Sequence, residues 1–190
     1  MEAKGNYIVQ AWLVILLALC FGGGLAGLDA RLSGMIAANK LAETLGQVPA
    51  LVPGAEKGEE QIVSGQIVYR AVGAGGHAGW VIPASGQGFA DRIELLLGVD
   101  PRVQTVTGIY ILDQKETPGL GNKIVETAWR GQFVGKSATE KVAAVTGGGA
   151  SGPQIDAITG ATISSESVCN IVNATLAQMR PVLLAAGGGE

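Results

Sequence analysis

RIELLLGVDPRVQTVTGIYILD, residues 92–113, contains two good strand candidates of this 190-residue chain. Its two halves are rich in Val, Ile and Leu, alternate apolar with polar residues in places, and are separated by Pro101. Runs of this kind, bounded by a turn residue, predict two β-strands. Upstream, residues 61–72 alternate in the same way and predict a strand or hairpin, while residues 79–89 predict a strand, a turn and the start of another strand.

Helical patterns follow these strands. Residues 164–186 repeat apolar side chains at helical spacing and predict a last amphipathic helix. Strands followed by scattered helical segments indicate an α+β domain with a mostly antiparallel, twisted sheet and flanking helices. We expect this domain to cover residues 61–186, with residues 187–190 as a tail.

The N-terminal part of the chain is strongly apolar. Residues 8–28 contain no charged side chain, and as a helix they would span about 31 Å, enough to cross the hydrocarbon core of a bilayer. We therefore expect an N-terminal segment with a transmembrane anchor at residues 1–28, then a connecting helix and linker at residues 29–60, with residues 56–61 as the loop. A cleaved signal peptide is the competing interpretation. The flanking charges are nearly balanced and do not predict an orientation.

Composition excludes several classes of function. The net charge is −3 with no block of like charges, so nothing indicates a nucleic-acid partner. The single histidine, His77, lies among glycines, and no Cys, His or carboxylate cluster has the spacing of metal ligands. No nucleophile elbow or phosphate-binding loop is present. A chain with a membrane anchor and no acid–base set is better suited to holding a cofactor than to hydrolysis.

The stretch DAITGATISS, residues 156–165, lies just ahead of the last helix. Gly160 gives the backbone the freedom for a turn that presents the Thr162 hydroxyl, and Ser164 or Ser165 can cap the helix. The first turn of a helix directs free N–H groups and a positive dipole end outward, which favours a phosphate. The simpler interpretation is an ordinary turn with a helix cap.

Five motifs occur in a fixed order. They are GW at residues 79–80, GQGF at 86–89, ETPGLG at 116–121, W-x-x-Q-F-x-G-K at 129–136 and DAITGAT at 156–162. Together they resemble the FMN-binding domain shared by the C subunit of sodium-pumping NADH:quinone reductase (Nqr) and the G subunit of the Rnf electron-transport complex. The resemblance covers about residues 62–179, the anchor also fits, and the compact length is more similar to the Rnf protein.

The resemblance implies a site. In that family FMN is joined through its phosphate to the last threonine of the DAITGAT-type motif, here Thr162, by a separate flavin transferase that uses FAD and reads the motif. Thr159 is the rival hydroxyl. The expected cofactor-binding residues are Thr162, Asp156, Thr159, Gly160, Ala161, Ser164, Ser165, Glu116, Thr117, Gly119, Leu120, Trp80 and Lys136. The alternatives for the outlying positions are a plain turn at residues 116–120, a core role for Trp80 and Phe89, and a solvated surface position for Lys136.

The function implied is electron transfer by covalent FMN within a membrane-bound, ion-translocating ferredoxin:NAD oxidoreductase of the Rnf type, without catalytic acid–base residues or a metal. Its expected partners are the other membrane subunits, the flavin transferase and membrane lipid. The expected location is the cytoplasmic membrane, single-pass, with the domain on the extracytoplasmic side. Two alternatives are a standalone membrane-anchored flavoprotein or Nqr-type C subunit, and a non-redox assembly module.

Overall fold

The structure, a computed structural model, describes the backbone of residues 7–187 and the side-chain environment of residues 11–186. Most of the expected tail, residues 187–190, lies outside this range. The described residues form two compact units, one that ends at Ala42 and one that begins at Glu43. The first is helical throughout its described part, and the second contains the sheet and the remaining helices.

Helix α1, Tyr7–Leu51, is longer than the two separate helices expected from the sequence. It continues through Pro49, a residue type that usually interrupts a helix. Pro49 has no N–H to donate to the Leu45 carbonyl, so one helical hydrogen bond is lost, but the last turn still closes with the Val52 N–H donating to the Val48 carbonyl at 3.0 Å. Val48, Leu51 and Val52 are buried in the second unit, and their burial offsets the lost hydrogen bond.

Part of α1 has the length and composition of a membrane span. The range Ala11–Leu51 includes an apolar 18-residue window, none of which is buried against other protein. A signal sequence near the N-terminus has the same properties. The expected apolar N-terminal helix is confirmed.

The second unit is built on a five-stranded sheet in which each strand pairs antiparallel with the next. The strands are β1 (Lys57–Val63), β2 (Gln66–Gly73), β3 (Gly76–Gln87), β4 (Arg92–Val99) and β5 (Val106–Asp113). A small parallel pair follows, β6 (Ala143–Val145) and β7 (Gln154–Asp156). The expected mostly antiparallel sheet is therefore confirmed, and β4 and β5 lie within the stretch that predicted them.

Two strands differ from expectation. β3 is one continuous strand, although a turn was expected around Pro83. β2 pairs with β3 only as far as Val81, so the missing N–H of Pro83 faces no neighbouring strand, and Pro83 pairs with Leu96 on the other side. Most of the expected loop at residues 56–61 instead belongs to the edge strand β1. Most side chains of β1 are polar, so the strand lacks the alternation of apolar and polar residues that would have predicted it.

The helical part of the second unit consists of short turns and one long helix. Gly121–Val125 and Gly131–Phe133 are 3₁₀ turns, α2 is Thr127–Arg130, and α3 is Thr162–Gly187. The last amphipathic helix predicted from residues 164–186 is thus confirmed, with its start two residues earlier.

Apolar side chains cover both faces of the sheet. On β4, Leu95 and Leu97 join the cluster that contains the apolar face of α3, whereas Leu96 joins the cluster of Val48 and Val52. Burial on both faces explains why β4 carries a continuous apolar run instead of a strict alternation.

Helix α3 approaches the sheet closely at one point. A Cβ added to Gly86 of β3 would lie 2.6 Å from Cγ1 of Ile171 on α3. No side chain fits there without displacing the helix. Gly86 therefore fixes how near the sheet the first half of α3 can lie.

Candidate functional site

A cleft of about 440 Å³ opens at the N-terminal end of α3. Three segments meet there: the turn between β3 and β4, the loop that follows β5, and the start of α3. The lining residues are Phe89, Thr117, Leu120, Gly121, Gly160, Ala161, Thr162, Ile163 and Ser164. The volume is in the range of small-molecule sites, and the wall is largely apolar.

Thr162 is the first residue of α3 and is half-buried in the cleft wall. Gly160, two residues earlier, has a φ of +80°, which an L-residue adopts only with strain. The N–H groups of the first helical turn have no partner within the helix, so an anion beside Thr162 would meet donors and the positive end of α3.

The expected capping role of Ser164 and Ser165 is wrong, because α3 begins at Thr162 and places both serines inside its first turn. The Ser165 hydroxyl accepts a hydrogen bond from the Ile158 N–H and donates one to the Ala161 carbonyl, each at 3.0 Å. Ser165 thereby closes the turn that precedes the helix. The Ser164 hydroxyl donates to Glu116 Oε2.

Glu116 lies behind the cleft, outside its lining. Its side chain is buried, with 4% of its surface exposed, and Oε1 accepts a hydrogen bond from the Ala90 N–H at 3.1 Å. Its own N–H donates to Gln114 Oε1 at 2.7 Å. The carboxylate therefore connects the loop that carries Glu116 to the other two segments that form the cleft.

Asp156 is held at the end of β7 by its backbone. Its N–H donates to Gln132 Oε1 at 2.7 Å, and its carbonyl accepts from Trp129 Nε1 at 3.0 Å and from Gln132 Nε2 at 3.3 Å. The Asp156 carboxylate accepts from the Ala150 N–H at 3.0 Å. Trp129 and Gln132 of the W-x-x-Q motif thus hold the first residue of DAITGAT in place. In the sequence, Gln132 was recognisable only as a member of that motif.

The structure brings six of the expected residues together in the cleft: Thr117, Leu120, Gly160, Ala161, Thr162 and Ser164. Phe89 also lines it, and so do Gly121 and Ile163, which the sequence did not single out. Gly121 closes the quoted ETPGLG motif and Ile163 directly follows DAITGAT, so both were adjacent to the signal.

Other expected residues lie elsewhere. Trp80 is buried in the core, 2% exposed, with its ring edge against His77 at 4.7 Å between centroids. Lys136 donates from Nζ to the Gly152 carbonyl at 2.7 Å and lines a different cleft of about 310 Å³. Thr159 and Gly119 are exposed in turns.

Cys169 is a buried thiol of the core. Burial, with a smaller contribution from Glu166, raises the pKa of the Cys169 thiol to about 12, so this thiol stays protonated at neutral pH. Residues 7–187 contain no group of three or more His, Cys, Asp or Glu side chains placed to hold a metal ion.

We expect Gly160→Ala to lower the free energy of unfolding by about 1–2 kcal/mol, because alanine resists a φ of +80° and its Cβ would lie 3.0 Å from Leu120 Cδ2. The matched control is Gly131→Ala, where the backbone is right-handed helical and the space is open. Urea unfolding of the full chain measures both. An equal effect of the two substitutions would contradict the strain at Gly160.

Comparison with known proteins shows what the domain around this cleft is similar to. Residues 88–177 match the family model of the FMN-binding domain. The chain is 33% identical over 111 residues to the G subunit of the ion-translocating oxidoreductase complex of Methanosarcina acetivorans, covering 58% of this chain and 56% of that protein. It is 41% identical over 90 residues to the G subunit of the Na⁺-translocating ferredoxin:NAD⁺ oxidoreductase complex of Acetobacterium woodii, covering 47% and 42%.

A further relative is the C subunit of the Na⁺-translocating NADH-quinone reductase of Pasteurella multocida, 41% identical over 96 residues and covering 47% of this chain and 37% of that protein. The chain thus spans about half the length, or less, of the curated relatives it matches. Among solved structures, NqrC of Shewanella oneidensis has the same fold, with a TM-score of 0.60, 19% identity, and coverage of 74% of this chain and 73% of that one. The resemblance drawn from the motifs is confirmed.

Proposed function

We propose that this chain, whose residues 88–177 match the family model of the FMN-binding domain, is an electron-transfer subunit that carries FMN as a phosphoester on Thr162. The single observation that carries the proposal is the position of Thr162. Its hydroxyl lies at the first residue of α3, in the wall of the cleft that the ETPGLG loop completes.

The residues of the cleft fit a flavin phosphate. An isoalloxazine ring needs a broad apolar surface, which Phe89, Leu120 and Ile163 supply; all three side chains are more than 40% exposed. The phosphate needs donors and positive potential, which the first turn of α3 supplies. A side chain at Gly121 would meet Ser164, so this part of the wall keeps its shape only with glycine.

Bound FMN supplies the electron chemistry, since its ring accepts and donates one or two electrons. The protein's own residues attach, orient and shield it. Asp156, through its contacts with Gln132 and Trp129, keeps the acceptor segment in one conformation. The Thr162 hydroxyl is the point of attachment.

Attachment requires a second protein. In the proposed reaction a flavin transferase directs Thr162 Oγ1 onto the phosphorus of the FMN half of FAD. A P–O bond forms, the pyrophosphate bond breaks, AMP leaves, and the hydroxyl proton passes to solvent. The exposed turn at Thr159 and Gly160 leaves this side of the segment open to an enzyme.

The proposed setting is a membrane complex of the Rnf type. Two of the relatives are G subunits of ion-translocating complexes, and α1 has the composition of a membrane span. We place the chain in the cytoplasmic membrane with the flavin domain on its extracytoplasmic side, next to other membrane subunits. An Nqr-type complex is the second candidate, because the relative from the NADH-quinone reductase matches equally well over a similar length. Co-purification separates the two by the subunits recovered.

The test is co-expression of the full chain with a FAD-dependent flavin transferase. We expect flavin absorbance that survives denaturation and a peptide containing Thr162 that carries the mass of FMN. A chain that gains no flavin with an active transferase would overturn the proposal.

A further inference from the structure

We propose that Glu116 is a positioning residue for the cleft and not a ligand of the cofactor. Its carboxylate joins the turn after β3, the ETPGLG loop and the first turn of α3, and through Ser164 it fixes where Thr162 lies relative to the apolar wall. The flavin readout of this inference rests on the proposed function, whereas its conformational readout does not.

Each carboxylate oxygen of Glu116 accepts a hydrogen bond from a different segment. Oε1 accepts from the backbone of Ala90, next to Phe89, and Oε2 accepts from the Ser164 hydroxyl, two residues after Thr162, at 2.5 Å. Glu116 is 4% exposed and Ser164 is 2% exposed. One buried and one part-buried charge-assisted hydrogen bond thus connect segments that are far apart in sequence.

Two glycines, Gly88 and Gly121, leave the space that the Glu116 side chain occupies. A Cβ on Gly88 would overlap Glu116 Oε1, and a Cβ on Gly121 would lie 2.6 Å from Ser164 Oγ and 2.9 Å from Glu116 Cβ. The surrounding backbone therefore closes on the Glu116 side chain from both sides. Gly121 and Ser164 line the cleft, whereas Glu116, which lies against both of them, does not.

Substitutions of Glu116 and Ser164 can separate a positioning role of Glu116 from an effect of its charge. In Glu116→Gln the amide oxygen can accept from Ala90, and the amide NH₂ can donate to Ser164, because a hydroxyl accepts as well as donates. Glu116→Gln therefore keeps both connections without the charge, whereas Glu116→Ala loses both. Ser164→Ala removes one of them.

The first experiment measures amide hydrogen exchange in the full chain made without transferase. We expect Glu116→Ala to speed exchange about tenfold or more in residues 88–91, 117–121 and 162–165, with β4 and β5 unchanged. Glu116→Gln should stay within about threefold of the parent chain. Glu126→Ala, at an exposed glutamate of the same region, is the matched control. No change in Glu116→Ala, or a uniform rise across the sheet, would overturn the proposal.

The second experiment uses the flavin-loaded chain and measures quenching of flavin fluorescence by iodide. We expect more quenching in Glu116→Ala and Ser164→Ala, no further increase in the double variant, and parent-like quenching in Glu116→Gln. If Glu116→Gln behaves like Glu116→Ala, the charge or a direct contact is responsible and the positioning role is wrong. If the parent chain gains no flavin, the proposed function fails, and the exchange experiment alone decides the role of Glu116.

Discussion

Thr162→Val should give a folded chain that carries no covalent flavin. Valine is nearly isosteric with threonine but lacks the hydroxyl that a phosphoester requires. Because Thr162 is half-buried at the first helical position, we expect the substitution to change the free energy of unfolding by less than about 1 kcal/mol. Flavin fluorescence of the denatured protein and the mass of the Thr162 peptide measure the loss.

Thr159→Val is the control for this prediction. Thr159 lies three residues away in the same motif, is more exposed than Thr162, and is not part of the cleft lining. If accessibility alone selected the acceptor, Thr159 would be the better acceptor. Because we propose that the cleft selects Thr162, we expect flavin to remain in Thr159→Val. Flavin that persists in Thr162→Val and disappears in Thr159→Val would move the attachment to Thr159 and contradict the proposal.

Phe133→Ala should cost about 3–5 kcal/mol of the free energy of unfolding, the usual effect of removing a buried aromatic ring. Phe133 is fully buried and packs edge-on against Trp129, with 5.4 Å between ring centroids. Its neighbour Gln132 holds the backbone of Asp156. A cavity here should therefore weaken both the core and the support of the acceptor segment. Urea unfolding of the full chain measures the first effect.

Phe89→Ala is the matched control, since it removes the same side chain from a position that is 59% exposed in the cleft wall. We expect a stability loss below about 1 kcal/mol together with greater iodide quenching of the bound flavin. Equal losses of stability in the two variants would contradict the assignment of Phe133 to the core and Phe89 to the cleft.

The strands were predictable where their burial requires a recognisable run of apolar residues in the sequence. The residue runs that form β4 and β5 predicted strands because their apolar side chains pack against both clusters of the core. The limits of β1 and β3 were not predictable. β1 is a polar edge strand, and the continuity of β3 through Pro83 depends on where β2 stops pairing, which is a tertiary fact.

The site was predictable as a set of motifs and not as a geometry. Thr117 and Thr162 belong to recognisable motifs, and the structure places both in one cleft. The hydrogen bond between Glu116 and Ser164 joins residues 48 positions apart, and no local sequence pattern predicts it. Trp80 was expected to bind the cofactor because it belongs to the GW motif, with a core role as the alternative, and its side chain is buried in the core.

If FMN is attached at Thr162 as proposed, the start of α3 at that residue limits how far the flavin can travel. A cofactor on a flexible loop would sample a wide volume, but Thr162 belongs to a 26-residue helix that Gly86 allows to pack close to β3. Only the torsions of the threonine and of the ribityl phosphate chain would remain free. The ring would therefore sweep a small sphere centred on the helix end. Any electron donor or acceptor must bring its own redox centre close to that sphere, since tunnelling rates fall steeply with distance.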